Sequence, residues 1–383
     1  MLPPLLFSLS FFVLAWWLYR KELGLWLLVP LFTGLILLVF TIVVELEDVN
    51  RVQAKYDVDI LLNELRRPDL WAKADLVNNE ERLLLASTSS LALFRAVDYL
   101  PERKLAIDST LRVLAEWVGQ RSMHKQWQNP RQWDRQVFFL AHTATVLAHY
   151  QLVTKEETFD RGLRDIGNHL GKRLQRGRYK HLASRPGEDF FRPADNAAAL
   201  YALSQYDAYY GTNYLEATYK DWAEYLEAEL FHAESRLPCS AFSTTNRCQL
   251  EPNATATGLY IAYRAAAAPE FMENDIPWRE WLHYFKRTSF SPFSVTIRPN
   301  MRSGETVRFC NQGAAPLACK RYEEAVGLWS AAEYGGSYTY FRLFTAVVLN
   351  RWLQPVPDFK SSSPTRRTRQ LTEVAIRAIG EGI

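Results

Sequence analysis

The sequence predicts an all-α protein, an α/α toroid of five to six helical hairpins preceded by a two-helix transmembrane hairpin. Three observations predict it. Rods of apolar and small residues alternate with amphipathic helices through most of the chain. These rods begin near Glu81, Asp134, Asp195, Glu251 and Glu323, at intervals of 53, 61, 56 and 72 residues, a spacing that suits two helices per unit. The first 45 residues are apolar and almost uncharged. Buried rods paired with half-wet ones fit a closed double ring, because an open solenoid would expose both layers more evenly.

The unit is clearest at residues 186–230. A charged, aromatic loop leads to Asp195-Asn196 and the run AAALYALSQYDAYY, which is apolar or small on nearly every face. Gly211 ends it, as a C-terminal glycine should. The next helix places Leu215, Tyr219, Trp222 and Leu226 on one stripe and acids and lysines elsewhere. An inner helix is thus paired with an outer one.

Residues 2–19 and 25–44 each match a bilayer span, with Arg20 and Lys21 in the short loop between them. A cleaved signal peptide is the alternative for the first span. It lacks a basic leading region and a small-residue cleavage site, and a second span follows at once. The basic loop faces the cytoplasm by the positive-inside rule, and Glu45, Glu47 and Asp48 follow the second span. The expected location is the inner membrane, crossed twice, with both termini and the main domain on the extracytoplasmic, periplasmic side. A net charge of +3 with 48% hydrophobic residues excludes a nucleic-acid binder and a disordered chain.

Residues 46–74 read as a charged helical lead-out, and 75–355 as the toroid domain. Within it, 82–100 is an inner helix and 102–118 its outer partner. A second pair covers the rod that Asp134 opens and the charged helix 156–174. The unit at 186–230 follows. The helix ATATGLYIAYRAAAA is then paired with 278–290. Alternating Val295 and Ile297 with Val307 and Phe309 predict a small β-hairpin. The last pair is 322–334 and 338–353, with Gly335-Gly336 as the turn. Residues 356–383 read as a linker and a C-terminal amphipathic helix, packed on the domain or returned to the membrane surface.

Cys239 with Cys248, and Cys310 with Cys319, are equally spaced pairs in polar loops. Two local disulfides outside the cytoplasm are the simplest reading. A four-cysteine zinc site and reduced, functional thiols are the alternatives, although the gaps do not match the usual zinc knuckles.

The alternating hairpins and the helix opening RPADNAAALYAL resemble the α/α-toroid, six-hairpin superfamily over about residues 75–355. The resemblance implies a glycoside hydrolase, polysaccharide lyase or sugar epimerase. The loop Cys239–Cys248 followed by Glu251-Pro252-Asn253 is loosely similar to the cysteine-bearing site of linalool dehydratase/isomerase-type proteins.

In such a ring, the loops entering the inner helices crowd one end. The candidate catalytic residues are Asp195, Glu251 and Glu323, because paired carboxylates serve as general acid and base. Candidate substrate-binding residues are Trp133, Asp134, His142, Arg192, Asn196, Asn253, Arg321 and Tyr322, with Trp127 in the same loops. Rings give apolar platforms, while arginines and amides give directional hydrogen bonds, which suits a sugar. Helix capping is the competing explanation for Asp134, Asp195 and Glu323, and a core role for His142. No HExxH, GxSxG, Walker or dinucleotide motif is present, and the sequence calls for no metal or cofactor.

The first functional expectation is a membrane-anchored enzyme acting on an envelope or secreted polysaccharide. The second is a non-catalytic component of an envelope assembly that holds a glycan or a protein partner. The third is a hydro-lyase acting on a small lipophilic alcohol, which needs Cys239 or Cys248 as a free thiol. Lipid bilayer, saccharide or small-molecule substrate, and envelope proteins are the expected partners.

Overall fold

The computed structural model describes residues 2–22, 24–71, 79–120, 130–177, 180–185, 187, 190–271, 276–287, 293–301, 321–353, 359 and 362–383. Helices dominate it. The first two are α1 (Leu2–Arg20) and α2 (Leu28–Val49), joined through the 3-10 turn Gly24–Leu27. They pack on each other closely, since a Cβ on Gly34 would meet the Phe11 side chain at 3.1 Å. Their remaining faces are bare: Val13, Trp26 and Ile36 are 65%, 71% and 65% exposed. Gly24–Val49 is long and apolar enough to cross a membrane, and only 22% of its most apolar window is buried. Phe7 and Phe40 dock the pair onto Phe293 at ring distances of 6.0 and 5.7 Å, and Phe40 also meets Trp352.

The helices that follow are α3 (Val52–Glu64), the short α4 (Pro68–Trp71), α5 (Asn79–Tyr99) and α6 (Lys104–Gly119). Next come α7 (Val137–Thr154), α8 (Asp160–Arg176), α9 (Pro193–Tyr210) and α10 (Glu216–Glu229). The rest are α11 (Ala254–Ala267), α12 (Ile276–Phe285), α13 (Arg321–Glu333), α14 (Ser337–Leu353) and α15 (Pro364–Glu381). Helix α5 packs on α7, α7 on α9, α9 on α11, α11 on α13, α13 on α15, and α15 again on α5. Six helices therefore follow one another back to the first. Around them α6 lies against α5 and α7, and α8 against α7 and α9. Helix α12 lies against α11, α14 against α13, and α3 against α15 and α5.

Local chemistry explains these elements. Helix α7 is buried along nearly its whole length, so it is apolar all round. It too passes a membrane-span test on length and hydropathy, but 83% of it is covered as a core helix. Helix α8 buries only Leu163, Ile166, Leu170, Leu174 and two glycines, and is charged elsewhere. Pro193 opens α9 at its first turn, and Gly211 closes it at φ +66°. Asn253 caps α11, its Oδ1 accepting from Ala256 N at 2.9 Å.

Several expectations shift. Helix α7 starts at Val137, after a 3-10 turn Pro130–Arg135, so Asp134 lies before the helix rather than at its cap. Strand β5 (Thr296–Ile297) pairs with β4 (Lys286–Arg287), whereas Val307 and Phe309 lie outside the described residues. Three other short strands form one antiparallel sheet: β1 (Phe190–Phe191), β2 (Ala241–Ser243) and β3 (Cys248–Leu250). The C-terminal helix is longer than its apolar stripe suggested, and it is wedged between α13 and α5.

That wedge depends on a glycine. A Cβ on Gly380 would lie 2.8 Å from Trp329 N and 2.9 Å from its Cα, which are backbone atoms that cannot swing away. Gly380→Ala is expected to destabilise the fold by about 1–3 kcal/mol, as overpacking does. At an unhindered helix position the same change stabilises by about 0.5–1 kcal/mol. The sign of the change in a urea melt therefore reads the α13–α15 contact directly.

Candidate functional site

The leading ends of the inner helices meet where the segment 182–185 crosses them. Asn196 holds this segment. Its Oδ1 accepts from Leu182 N at 2.8 Å, and its Nδ2 donates to Leu182 O and Arg192 O, each at 3.1 Å. The segment then satisfies the first turn of α7, with Val137 N donating to Ala183 O and Phe138 N to Ser184 O. Arg185 is thereby carried to the middle of the cluster. Its Nε meets Glu80 Oε2 at 2.6 Å and its Nη1 meets Asp195 Oδ2 at 3.4 Å. The guanidinium lies 4.4 Å above the Phe138 ring. One arginine thus joins the first turns of α5 and α9 across α7.

Acids and phenols from other helices reach the same place. Glu81 Oε1 accepts from Arg369 of α15 at 2.6 and 3.0 Å, while its Oε2 is buried with no hydrogen-bond partner. Burial pushes the Tyr263 phenol of α11 upward, and the charges of Tyr322 and Asp195 add to this. Tyr322 is raised likewise by burial, then by Glu323, Glu373 and Glu81. Glu80, Glu81, Asp195, Tyr263, Tyr322 and Glu323 therefore share one electrostatic neighbourhood.

Beneath it the space between α5, α7, α9, α11 and α13 holds buried side chains. His142 Nδ1 lies 2.9 Å from Ser87 Oγ, with the Phe138 and Tyr263 rings 4.6 and 6.1 Å away. Deeper in, His149 joins Ser90 at 3.0 Å and the Tyr201 hydroxyl at 2.9 Å, and it stacks on Phe94. Trp329 Nε1 donates to Glu333 Oε1 at 2.7 Å, and Arg95 pairs with the same oxygen at 2.5 Å. Burial, aided by Arg185 and Arg95 respectively, pushes His142 and His149 down to about 3, so both are neutral near pH 7.

Of the sequence-predicted residues, Asp195 and Tyr322 come together here around Tyr263, with Glu323 next to Tyr322 in the chain. His142 lies just below them, sealed from solvent. Others are occupied elsewhere. Asp134 pairs with His169 at 3.2 Å and Arg173 at 3.1 Å on the outer helix α8, and Trp133 packs edge-on against the same histidine. Arg192 lies over the Phe190 ring at 5.6 Å. Asn196 is a backbone clasp. Asn253 is the α11 cap, and its Nδ2 donates to Ser240 Oγ at 2.7 Å. Glu251 is exposed beyond β3, with its backbone carbonyl accepting from Ser240 Oγ. Arg321 opens α13, but its side chain lies outside the described residues, as do Trp127, Cys310 and Cys319. Cys239 and Cys248 are joined in a disulfide that links the β2–β3 hairpin. The free thiol that the hydro-lyase expectation needed is absent at both positions.

Sequence reasoning missed Glu80, Glu81, Arg185 and Arg369. The signals were faint: two acids opening the first rod, and an arginine in a basic, aromatic loop.

No protein-family model and no curated protein matches the sequence. Among solved structures, the chain is similar to one described as a novel alpha-amylase from Clostridium perfringens. The TM-score is 0.46 at 12% identity, over 77% of this chain and 85% of that one. So distant a likeness carries no argument about activity.

Proposed function

We propose that the six successive helices form an α/α toroid on a two-helix membrane anchor, and that its mouth acts on a carbohydrate. The observation that carries this reading is the convergence of Glu80, Glu81, Asp195, Tyr322 and Arg185 at one end of the ring. Carboxylates and phenols at a rim offer proton transfer and hydroxyl recognition, while arginine orients them. In this reading, Glu81 is the proton-transfer group, through the oxygen that has no partner. Asp195, held by Arg185, stabilises developing positive charge. A hydrolase, lyase or epimerase of an envelope or secreted polysaccharide fits these parts. The bare faces of α1 and α2 support the anchor, the basic Arg20-Lys21 turn supports a cytoplasmic loop, and the Cys239–Cys248 disulfide supports an extracytoplasmic domain.

A second reading has its own observation. Arg185 pairs with Glu80 and Asp195, and Arg369 with Glu81, an arrangement that also suits a non-catalytic glycan- or partner-binding component. Binding and turnover of envelope oligosaccharides by the full chain in detergent separate the two. The enzyme reading expects Asp195→Asn and Glu81→Gln each to lower turnover about 100-fold or more while oligosaccharide binding persists. Binding without turnover in the unmodified protein would establish the second reading, and neither binding nor turnover would remove both.

A further inference from the structure

Two sets of contacts fix the direction in which the α1–α2 hairpin leaves the ring. In the first, α2 lies against α14. Asp48 Oδ1 accepts from the Tyr340 hydroxyl at 2.7 Å, and the Phe40 and Trp352 rings are 6.1 Å apart. Residue numbers fall along α2 as they rise along α14, so the two helices are antiparallel. Helix α14 returns from α13 through the turn at Gly335-Gly336, so its last residues, Trp352 and Leu353, come back to the level at which α13 begins. That level is the mouth. Residues 28–39 of α2 lie beyond Phe40 on the side away from Asp48. They therefore project past the mouth end, by about 18 Å at 1.5 Å per residue.

The second set agrees. Ala254 N, in the first turn of α11, donates to Pro299 O at 2.9 Å, and Asn253 bridges to Asn300. The segment holding β5 therefore lies at the leading end of α11, which is again the mouth. Three residues before β5, Phe293 meets Phe7 of α1 and Phe40 of α2. The other end of α2 reaches the opposite end of the ring. Just past it, Arg51 Nη2 donates to Ile383 O at 3.4 Å, and its guanidinium lies 4.9 Å from the Tyr99 ring, at the trailing ends of α15 and α5. Helix α2 thus runs down the side of the ring from mouth to trailing end, and what precedes Phe40 in it stands clear of the mouth.

We infer that the mouth opens onto the bilayer surface, and that the saccharide it takes is the head of a membrane-embedded glycolipid rather than a free polymer. The bilayer rests on the proposed anchor and the saccharide on the proposed function. The apolar run 25–44 ends four residues past Phe40, so about 6 Å of it lies alongside the ring, and the rim reaches the polar boundary of the membrane. Trp352 and Leu353 suit that depth. They are 47% and 39% exposed at the rim, and an indole is at home where hydrocarbon meets headgroups. A soluble polysaccharide would have to enter between the mouth and the headgroups, whereas a lipid-linked glycan arrives there by diffusing in the plane.

The test uses the full chain in vesicles, with a nitroxide on one introduced cysteine at a time in a Cys310→Ser, Cys319→Ser background. Leu353→Cys reports the rim, Ile36→Cys the anchor, and Leu105→Cys, 85% exposed at the start of α6, the trailing end. Oxygen should relax the Ile36 and Leu353 labels several-fold more than a water-soluble nickel chelate does, and the chelate should dominate at Leu105. Leu353 in water with Ile36 in lipid overturns the orientation and leaves the anchor standing. Ile36 in water removes the anchor and the inference together. The unmodified chain, in the same vesicles, should bind envelope oligosaccharides coupled directly to a dialkylglycerol about tenfold or more better than the same oligosaccharides free. A mouth turned away from the bilayer would bind the coupled form only through a long flexible spacer, and that result overturns the orientation independently of the labels. Equal binding of the free and coupled forms, or binding of neither, overturns the glycolipid.

Discussion

Replacing Asp57 with alanine should cost about 3–5 kcal/mol. Asp57 lies on α3 and is fully buried. Its Oδ1 meets Arg351 Nη2 of α14 at 2.5 Å and Arg377 Nη2 of α15 at 2.9 Å. Its Oδ2 meets Arg377 Nε at 2.5 Å. One carboxylate therefore ties the lead-out helix to the C-terminal helix and to the outer partner of α13. Burial works against the charge on Arg377, but Asp57, Glu381 and Glu373 outweigh it and hold that guanidinium above the ordinary arginine range. Removing the carboxylate leaves two arginines, 16% and 14% exposed, with their principal partner gone. The cost is mostly that of stranding them rather than the worth of the bonds, and this has a testable corollary. A triple change, Asp57→Leu with Arg351→Met and Arg377→Met, should be less destabilising than Asp57→Ala alone. Urea denaturation of the three proteins decides it. A loss below about 1 kcal/mol for the single variant would mean that water reaches and solvates both guanidinia.

The same arginines explain what the sequence concealed. Helix α9 was legible because Ala197 to Leu203 is small or apolar on every face, and that stretch is buried throughout. Helix α15 was not. Arg367 fell in the expected linker and Arg377 within the expected amphipathic helix, yet both are inside, paired in the core with Glu64, Asp69 and Asp57. Hydropathy counts a charge as exposed, and a paired charge breaks that count. The partner residues stand some 300 positions away in the chain, where no local pattern can announce them. The site was half legible for a related reason. Acids at rod beginnings pointed to Asp195 and Glu323 at one shared end. The rule could not tell an acid facing the mouth from Asp134, which turns outward to His169 and Arg173. Nor could it find Arg185, whose meaning depends on Glu80, 105 positions earlier. Asn196 and Asn253 drew notice as amides, but both are spent on local backbone and capping work that composition does not reveal.

Above about pH 7.5 the stability of the protein should decline as pH rises through about 8, and Glu381→Gln should remove that decline. Glu381 sits in the last turn of α15, 2% exposed, with neither carboxylate oxygen hydrogen-bonded. Burial pushes its pKa up to about 8, and Asp57 of α3 and Asp48 of α2 push the same way. Arg351 of α14 and Arg377 of α15 oppose them. Tyr99 of α5 and Tyr340 of α14 also feel its charge, and both are raised chiefly by burial. The folded state keeps a proton that the unfolded chain releases near its ordinary value of 4.5. The contribution is therefore fully present below 4.5 and is lost as pH climbs through about 8, by about 1.4 kcal/mol for each unit of displacement. Histidines act in the opposite sense. His142, His149, His169 and His181 are all pushed down from 6.5, chiefly by burial, so the unfolded chain takes up their protons first and stability falls as pH drops from about 7.5 through 6.5. From 4.5 to about 7.5 the two effects oppose each other, because an unfolded histidine is still half protonated at pH 6.5, whereas above about 7.5 the histidines are neutral in both states. That upper window isolates Glu381. Denaturation midpoints at about pH 7.5, 8 and 8.5 should fall for the unmodified chain and stay level for Glu381→Gln, whose amide mimics the protonated acid. Equal slopes for the two proteins would mean that Glu381 is already ionised in the fold. Arg351 and Arg377 would then neutralise two carboxylates rather than one, and the stranding argument for Asp57 would have to be halved.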